Sequence, residues 1–119
     1  MLINYSNHPS SLWSEEQTQE ANRLFGEIAD IPFPIVAPDA DEQDIVHLTE
    51  TELKRICMFA LPKEAVIHIM GEMTLTYALV HRLKDMGYRC VASTTYREVY
   101  EEYPNKKIVS FHFVRFRYY

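Results

Sequence analysis

Three short runs gather the side chains that could do chemistry. The first, Ser6-Asn7-His8-Pro9-Ser10-Ser11, sets an imidazole among hydroxyls. Histidine exchanges protons near neutral pH, so His8 is the first choice for acid–base work, with Ser10 and Ser11 beside it. A histidine next to a proline serves equally well to hold a turn. The second run, Gly71-Glu72-Met73-Thr74, leads into a helical pattern. Free backbone N–H groups at a helix start favour a phosphate or another anion, although the Glu72 carboxylate competes for the same field. The third, Ser93-Thr94-Thr95-Tyr96-Arg97, places three hydroxyls ahead of a guanidinium. That combination suits phosphate oxygens or ribose hydroxyls; the same hydroxyls can instead satisfy backbone groups at a strand end.

Other chemistries lack their residues. His47, His68, His81 and His112 fall within regular elements at no metal-ligand spacing, and HExxH and CxxC are absent, so no metal is expected. GxxxxGK[ST], GxGxxG and GxSxG are absent as well, which removes the P-loop, the dinucleotide fingerprint and the hydrolase elbow; no organic cofactor is expected. Asp39, Asp41, Glu42 and Asp44 read as the acidic start of a helix. Arg115 and Arg117, two apart on one strand face, line an anion site or solvate the sheet edge. Cys57 and Cys90 are far apart in apolar segments, so a disulfide is not expected and a reducing compartment fits.

Charge narrows the partners. Residues 1–60 carry 3 Lys/Arg against 11 Asp/Glu, and residues 61–119 carry 9 against 6, within a net charge of -5. Coating duplex DNA needs a broad basic surface, so it is excluded. The opening MLINYSNHPSS has no basic stretch and no long apolar run, which predicts neither a signal peptide nor a membrane span and points to the cytoplasm.

Strands and helices must position the three runs. With 119 residues, 47% of them hydrophobic, the chain is expected to form a single domain over residues 1–119. Short apolar runs alternate with segments of 3.6 period. Strands are predicted at Met1–Ser6, Glu27–Ile31, Ala65–Met70 and Arg89–Ser93. The first helix starts at the N-cap Ser14, with Gln17 completing a capping box, buries Ala21, Leu24 and Phe25, and stops at Gly26. The second covers Glu42–Phe59 and buries Ile45, Leu48, Leu53, Ile56 and Cys57. The third, Thr74–Met86, buries Leu75, Ala78, Leu79, Leu83 and Met86, with Gly87 at its cap. Tyr96–Tyr103 and Lys107–Tyr118 read as a hairpin around Pro104-Asn105-Lys106. Val109, Phe111 and Phe113 share one face of its second strand before Val114 and Phe116 take the other. That phase change predicts a bulge or a strand covered on both faces. The whole is an α/β fold, a small Rossmann-like three-layer domain with a mostly parallel sheet and a C-terminal antiparallel hairpin. In such sheets ligands bind beyond the carboxyl ends of the strands, where strand order reverses. All three polar runs fall there.

INYSNHPSS opening straight from a strand, GEMT at a helix start and STTYR at a strand end together resemble the small CRISPR-associated Rossmann-like domains, the CARF-type sensors and stand-alone ring nucleases. The resemblance implies a homodimer that binds cyclic oligoadenylate across its axis. It also allows metal-independent cleavage, a ribose 2′-hydroxyl attacking the adjacent phosphate. Carried onto this chain, Ser6, Asn7 and Ser10 would contact the ligand, and Gly71, Met73 and Thr74 would offer N–H groups or a hydroxyl to phosphate. Thr94, Thr95 and Arg97 would hold ribose or phosphate, and His8 would carry a proton. The chain departs from the family beside Thr74, where Glu72 stands instead of a basic residue. The expected function is binding of a nucleotide or cyclic oligonucleotide, with or without cleavage. Two alternatives are a homodimeric scaffold joined through the aromatic strand FHFVRFRYY, and a small enzyme acting on a phosphorylated metabolite.

Overall fold

Leu2–Ser6 and Val66–Met70 are nearly continuous apolar runs, the pattern of strands covered on both faces. In the computed structural model, which describes residues 1–102 and 105–119, they are the central strands β1 and β3. Between and after them come α1 (Glu15–Phe25), β2 (Ile28–Pro32), α2 (Glu42–Phe59), α3 (Met73–Asp85), β4 (Arg89–Glu102) and β5 (Lys106–Tyr118). Strand order is β2-β1-β3-β4-β5, with the first four parallel and β5 antiparallel to β4. The doubly wound domain expected from the alternation is therefore present, and its order reverses between β1 and β3. Tyr103 and Pro104, part of the expected hairpin, lie outside the described residues.

Alternation along each strand sends side chains to opposite layers. Ile3, Tyr5, Ile67 and Ile69 pack beneath Leu53 and Ile56 of α2 and Leu75, Leu79 and Leu83 of α3. The other face carries Leu2, Val66 and Val91 against Ala21 of α1, Trp13 and Phe116. Beneath α2, the buried Glu52 accepts a hydrogen bond from the Tyr5 hydroxyl at 2.6 Å and pairs with Arg55 at 2.6 Å. The burial of Tyr5 beside that carboxylate raises its pKa strongly. Gly71 is required by space: a Cβ there would meet the Phe33 ring at 2.5 Å. No helix among the described residues is long and apolar enough to cross a membrane.

Local signals held in part. Ser14 caps α1 by accepting from the Gln17 N–H, and Gly26 ends the helix at φ +87. The Ser14–Gln17 bond runs in that one direction, whereas Asp41 and Asp44 form a reciprocal box at α2. Leu24 and Met86, assigned to buried stripes, are exposed. The break expected after Ser93 does not occur. STTYREVY has no glycine, proline or asparagine to stop it, so its β-branched and aromatic residues continue one strand from Arg89 to Glu102. The bulge is real: Thr94 pairs with Arg115 and Thr95 with Phe113, leaving Val114 as the extra residue. It returns Phe116 to the face of Phe113, where α1 covers it through Phe25 at 5.5 Å.

Pairing of β4 with β3 is confined to Arg89–Val91. Beyond Val91 the two long strands leave the β3 ladder and continue as a ribbon paired with each other. The radius of gyration, 16.0 Å, records that arm; a compact chain of this length would have about 13.5 Å.

Candidate functional site

Asn4 and His68 are polar residues at the centres of apolar strands, LINYS and VIHIM, and are 1% and 2% exposed. They face each other across the β1–β3 pairing, with Asp30 opposite Asn4 on β2. Buried polar groups need partners, and these find one another in a chain across four strands. Asp30 Oδ1 accepts from Asn4 Nδ2 at 2.7 Å; Asn4 Oδ1 lies 2.8 Å from His68 Nδ1; His68 Nε2 lies 3.0 Å from Ser93 Oγ on β4. Asn4 Nδ2 also donates to the His8 carbonyl at 2.9 Å, and Ser6 Oγ donates to Asn4 Oδ1 at 2.7 Å.

The chain fixes its own protons. Burial alone would raise the Asp30 pKa, but hydrogen bonds from Ser10 and Asn4 outweigh it and hold the carboxyl below its ordinary range. An ionised carboxylate only accepts, as does the His8 carbonyl, so both Asn4 amide protons are committed. Its oxygen must then face His68, and Nδ1 carries the imidazole proton. Nε2 is left as a bare lone pair towards the Ser93 hydroxyl. Burial, assisted by the neighbouring His8, pushes the His68 pKa down to about 4, so the ring is neutral at pH 7. Trp13 and Phe116 stand edge-on to it at 5.3 and 5.8 Å.

Above this chain opens a cleft of about 950 Å³ at the carboxyl ends of β1 and β3 and beside the first half of β4. Its floor is Ser6, His68 and Ser93, with Met70, Gly71 and Thr95 beside them. Asn7, His8, Trp13 and the start of α1 (Ser14, Glu15, Glu16, Gln17) form one wall, and Phe111, His112 and Phe113 of the hairpin the other. No Lys or Arg lines it. Among the described residues, no three His, Cys, Asp or Glu side chains are grouped to hold a metal.

Of the residues singled out from the sequence, the cleft brings together Ser6, Asn7, His8, Gly71 and Thr95. Ser10 instead clamps Asp30, its N–H at 3.0 Å and hydroxyl at 2.6 Å from the carboxylate. Met73 is exposed and Thr74 is engaged elsewhere: its hydroxyl and N–H, with the Leu75 N–H, bind the Glu72 carboxylate that caps α3. The Thr74 hydroxyl first, then the two N–H groups, lower the Glu72 pKa. The anion that sequence placed at this helix start is the protein's own. Thr94 faces away from the cleft and bonds the Arg115 carbonyl at 3.1 Å. Arg97 lies on the ribbon beyond Thr95, outside the lining. Ser93, the first of the three hydroxyls in the third run, lines the cleft as well, whereas Asn4, Gln17 and Asp30 carry no ligand signal in the sequence and His68 reads there as a strand residue. For Asn4 and His68 the signal is a polar residue in the middle of a buried parallel strand.

Fold and site together define a doubly wound α/β domain with a polar cleft at its switch point, floored by a buried Asp–Asn–His–Ser chain. The protein belongs to the family described as the uncharacterized protein MJ1673 family, whose model matches residues 1–117. No curated protein and no solved structure matches the chain.

Proposed function

We propose that the cleft binds a ligand of nucleotide class, a nucleotide or cyclic oligonucleotide, held base-first. Gln17 carries this reading. The residue lines the cleft, and its side-chain amide, open to solvent there, has no hydrogen-bond partner among the described residues. An amide that opens onto the cleft with no protein partner is free to bond a bound molecule. The Gln amide donates and accepts side by side, matching the N6–N7 edge of adenine. Phe111 and Phe113 give bases a surface to stack on, and the hydroxyls of Ser93 and Thr95 suit a ribose. With Glu15 and Glu16 at the rim and no cation in the lining, phosphates would run outward along β4. There Arg97 follows Thr95 on the same strand face. A phosphorylated metabolite gripped by its phosphate alone fits this lining less well. The cyclic oligonucleotide, and its metal-independent cleavage, are what the sequence resemblance adds to the reading.

Thermal melts with adenosine, AMP and cyclic oligoadenylates, each with and without EDTA, test it. A member at 100 times its Kd should raise the melting temperature by about 10 °C. The rise should persist in EDTA and vanish in Gln17→Leu. No rise with any of them at millimolar concentration overturns the reading.

The ribbon favours a second, compatible reading, self-association. A two-stranded ribbon alone is marginally stable in water, yet this one exposes Tyr96, Val99, Tyr100, Val109 and Phe111. A second copy covering it would bury them and pair the open edge of β5. Light scattering should then give twice the 14.0 kDa chain mass. Val99 and Val109 are direct cross-strand partners, so Val99→Lys with Val109→Glu keeps a favourable pair while removing the apolar surface. That double variant should run as a monomer. A monomeric wild type at 100 µM sinks the idea.

A further inference from the structure

The Asp–Asn–His–Ser chain does more than satisfy buried groups, because one end of it is a hydroxyl open to the cleft. Ser93 is partly exposed and lines the cleft, while His68, 2% exposed, lies behind it. The separation of Oγ and Nε2, 3.0 Å, is the reach of a general base on a nucleophile. Behind the imidazole stands an orienter: Asn4 Oδ1 holds Nδ1–H at 2.8 Å, and Asp30 pins the amide that supplies that oxygen. Nucleophile, base and orienter recur on unrelated folds and are recognised by geometry rather than by sequence order. GxSxG and the other local signatures look for a serine on a strand-to-helix turn, so they pass over one inside β4.

We propose that Ser93 is a nucleophile that takes the acyl group of an uncharged carboxylic ester bound in the cleft, with His68 as its base and Asn4 and Asp30 as positioning residues. Ser93 Oγ attacks the ester carbonyl carbon and its proton passes to His68 Nε2. The Oγ–C bond forms and the carbonyl oxygen becomes an oxyanion. Collapse breaks the bond to the leaving alcohol, which departs with the proton from Nε2. Water then attacks the acyl-Ser93 ester, gives a proton to Nε2, and collapse returns that proton to Oγ. The products are a carboxylic acid and an alcohol, and His68 ends neutral as it began. Gln17 and Thr95, which line the same cleft, offer an amide N–H and a hydroxyl to the oxyanion. An uncharged ester fits because the lining has no Lys or Arg to bind an anionic one. Ser93 Oγ also lies 3.2 Å from the Met70 thioether, a weaker acceptor than the imidazole nitrogen.

This inference goes beyond ligand binding and does not need the ligand to be a nucleotide, so the two tests fail separately. The probe is an alkyl fluorophosphonate, which a nucleophilic serine captures with loss of fluoride, read by intact mass and peptide mapping. One adduct is expected, on Ser93, absent in Ser93→Ala and formed about 100-fold more slowly in His68→Gln. If His68→Gln does not fold, Asp30→Ala serves: Asp30 is exposed on β2, and freeing the Asn4 amide should slow labelling about tenfold. The wild-type rate should be flat from pH 6 to 8, because the base is already neutral throughout. A serine reacting without a base would instead speed up about tenfold per pH unit with hydroxide. Such a rising profile, equal adducts on several serines, or no adduct within a day overturns the proposal.

Discussion

Replacing Asn4 with Leu should lower stability by about 3 kcal/mol and the melting temperature by about 10 °C. The side chains are similar in volume, so the loss comes from the hydrogen bonds. Asp30 keeps its two bonds from Ser10, and the His8 carbonyl keeps the Trp13 indole N–H at 3.2 Å. Ser6 keeps the His8 N–H at 3.1 Å. His68 has nothing to fall back on at Nδ1, which sits in a place sealed from water. It can move its proton to Nε2 and donate to Ser93, but a bare Nδ1 is then buried without a donor. Leu recovers about 1 kcal/mol by removing the amide from a dry site. The remainder combines the orphaned imidazole nitrogen with the lost charge-assisted bond to Asp30. Urea unfolding of the two proteins checks the figure, and a difference below 1 kcal/mol would show that the chain contributes little to holding the sheet.

Acid should destabilise this protein earlier than its carboxylates alone would dictate. His68 has a folded pKa of about 4 against an unfolded value of 6.5. As pH falls below 6.5 the unfolded chain takes up the proton and the folded one does not, so unfolding gains. The contribution of His68 is complete above pH 6.5, declines through the window down to pH 4, and is spent below it. Its full size is about 3 kcal/mol. The groups around the ring agree with this sign: Asn4 and Ser93 are neutral, Trp13 and Phe116 offer apolar edges, and His8 adds repulsion when protonated. Asp30 lies one residue removed, behind Asn4. Stability measured at pH 7, 6 and 5 should therefore fall in wild type while staying nearly level in His68→Gln. Parallel curves for the two proteins would place the acid sensitivity elsewhere.

The fold was legible because its signals are local and repeated. The Ser14 cap, the acidic start of α2, the stop at Gly26 and the apolar periods of α2 and α3 each act over one or two turns. β1 and β3 announce their central place by being apolar throughout. The extent of β4 was misread because three hydroxyls suggested a loop, whereas threonine is also a good strand residue and no breaker follows. The site was half legible. Ser6 and His8 border the end of β1, and Thr95 follows a strand end that the sequence suggests and β4 does not have. Asn4, His68 and Ser93 meet only when β1, β3 and β4 align in register, and one sequence does not state which strands are neighbours. Thr74 shows the converse: a helix start invites an anion, but the side chain of Glu72 arrives first.

The indole of Trp13 makes a T-shaped contact with the His68 ring on one side, donates to the His8 carbonyl on another, and borders the cleft. It is the single tryptophan of the chain. The protein thus carries a built-in fluorophore beside the cleft and the buried imidazole, with tyrosines as the other emitters. Excitation at the red edge of the absorption band isolates that indole from the eight tyrosines. Occupancy of the cleft, the charge on the imidazole and the opening of the first loop can each be followed by its emission, without a dye or a mutation.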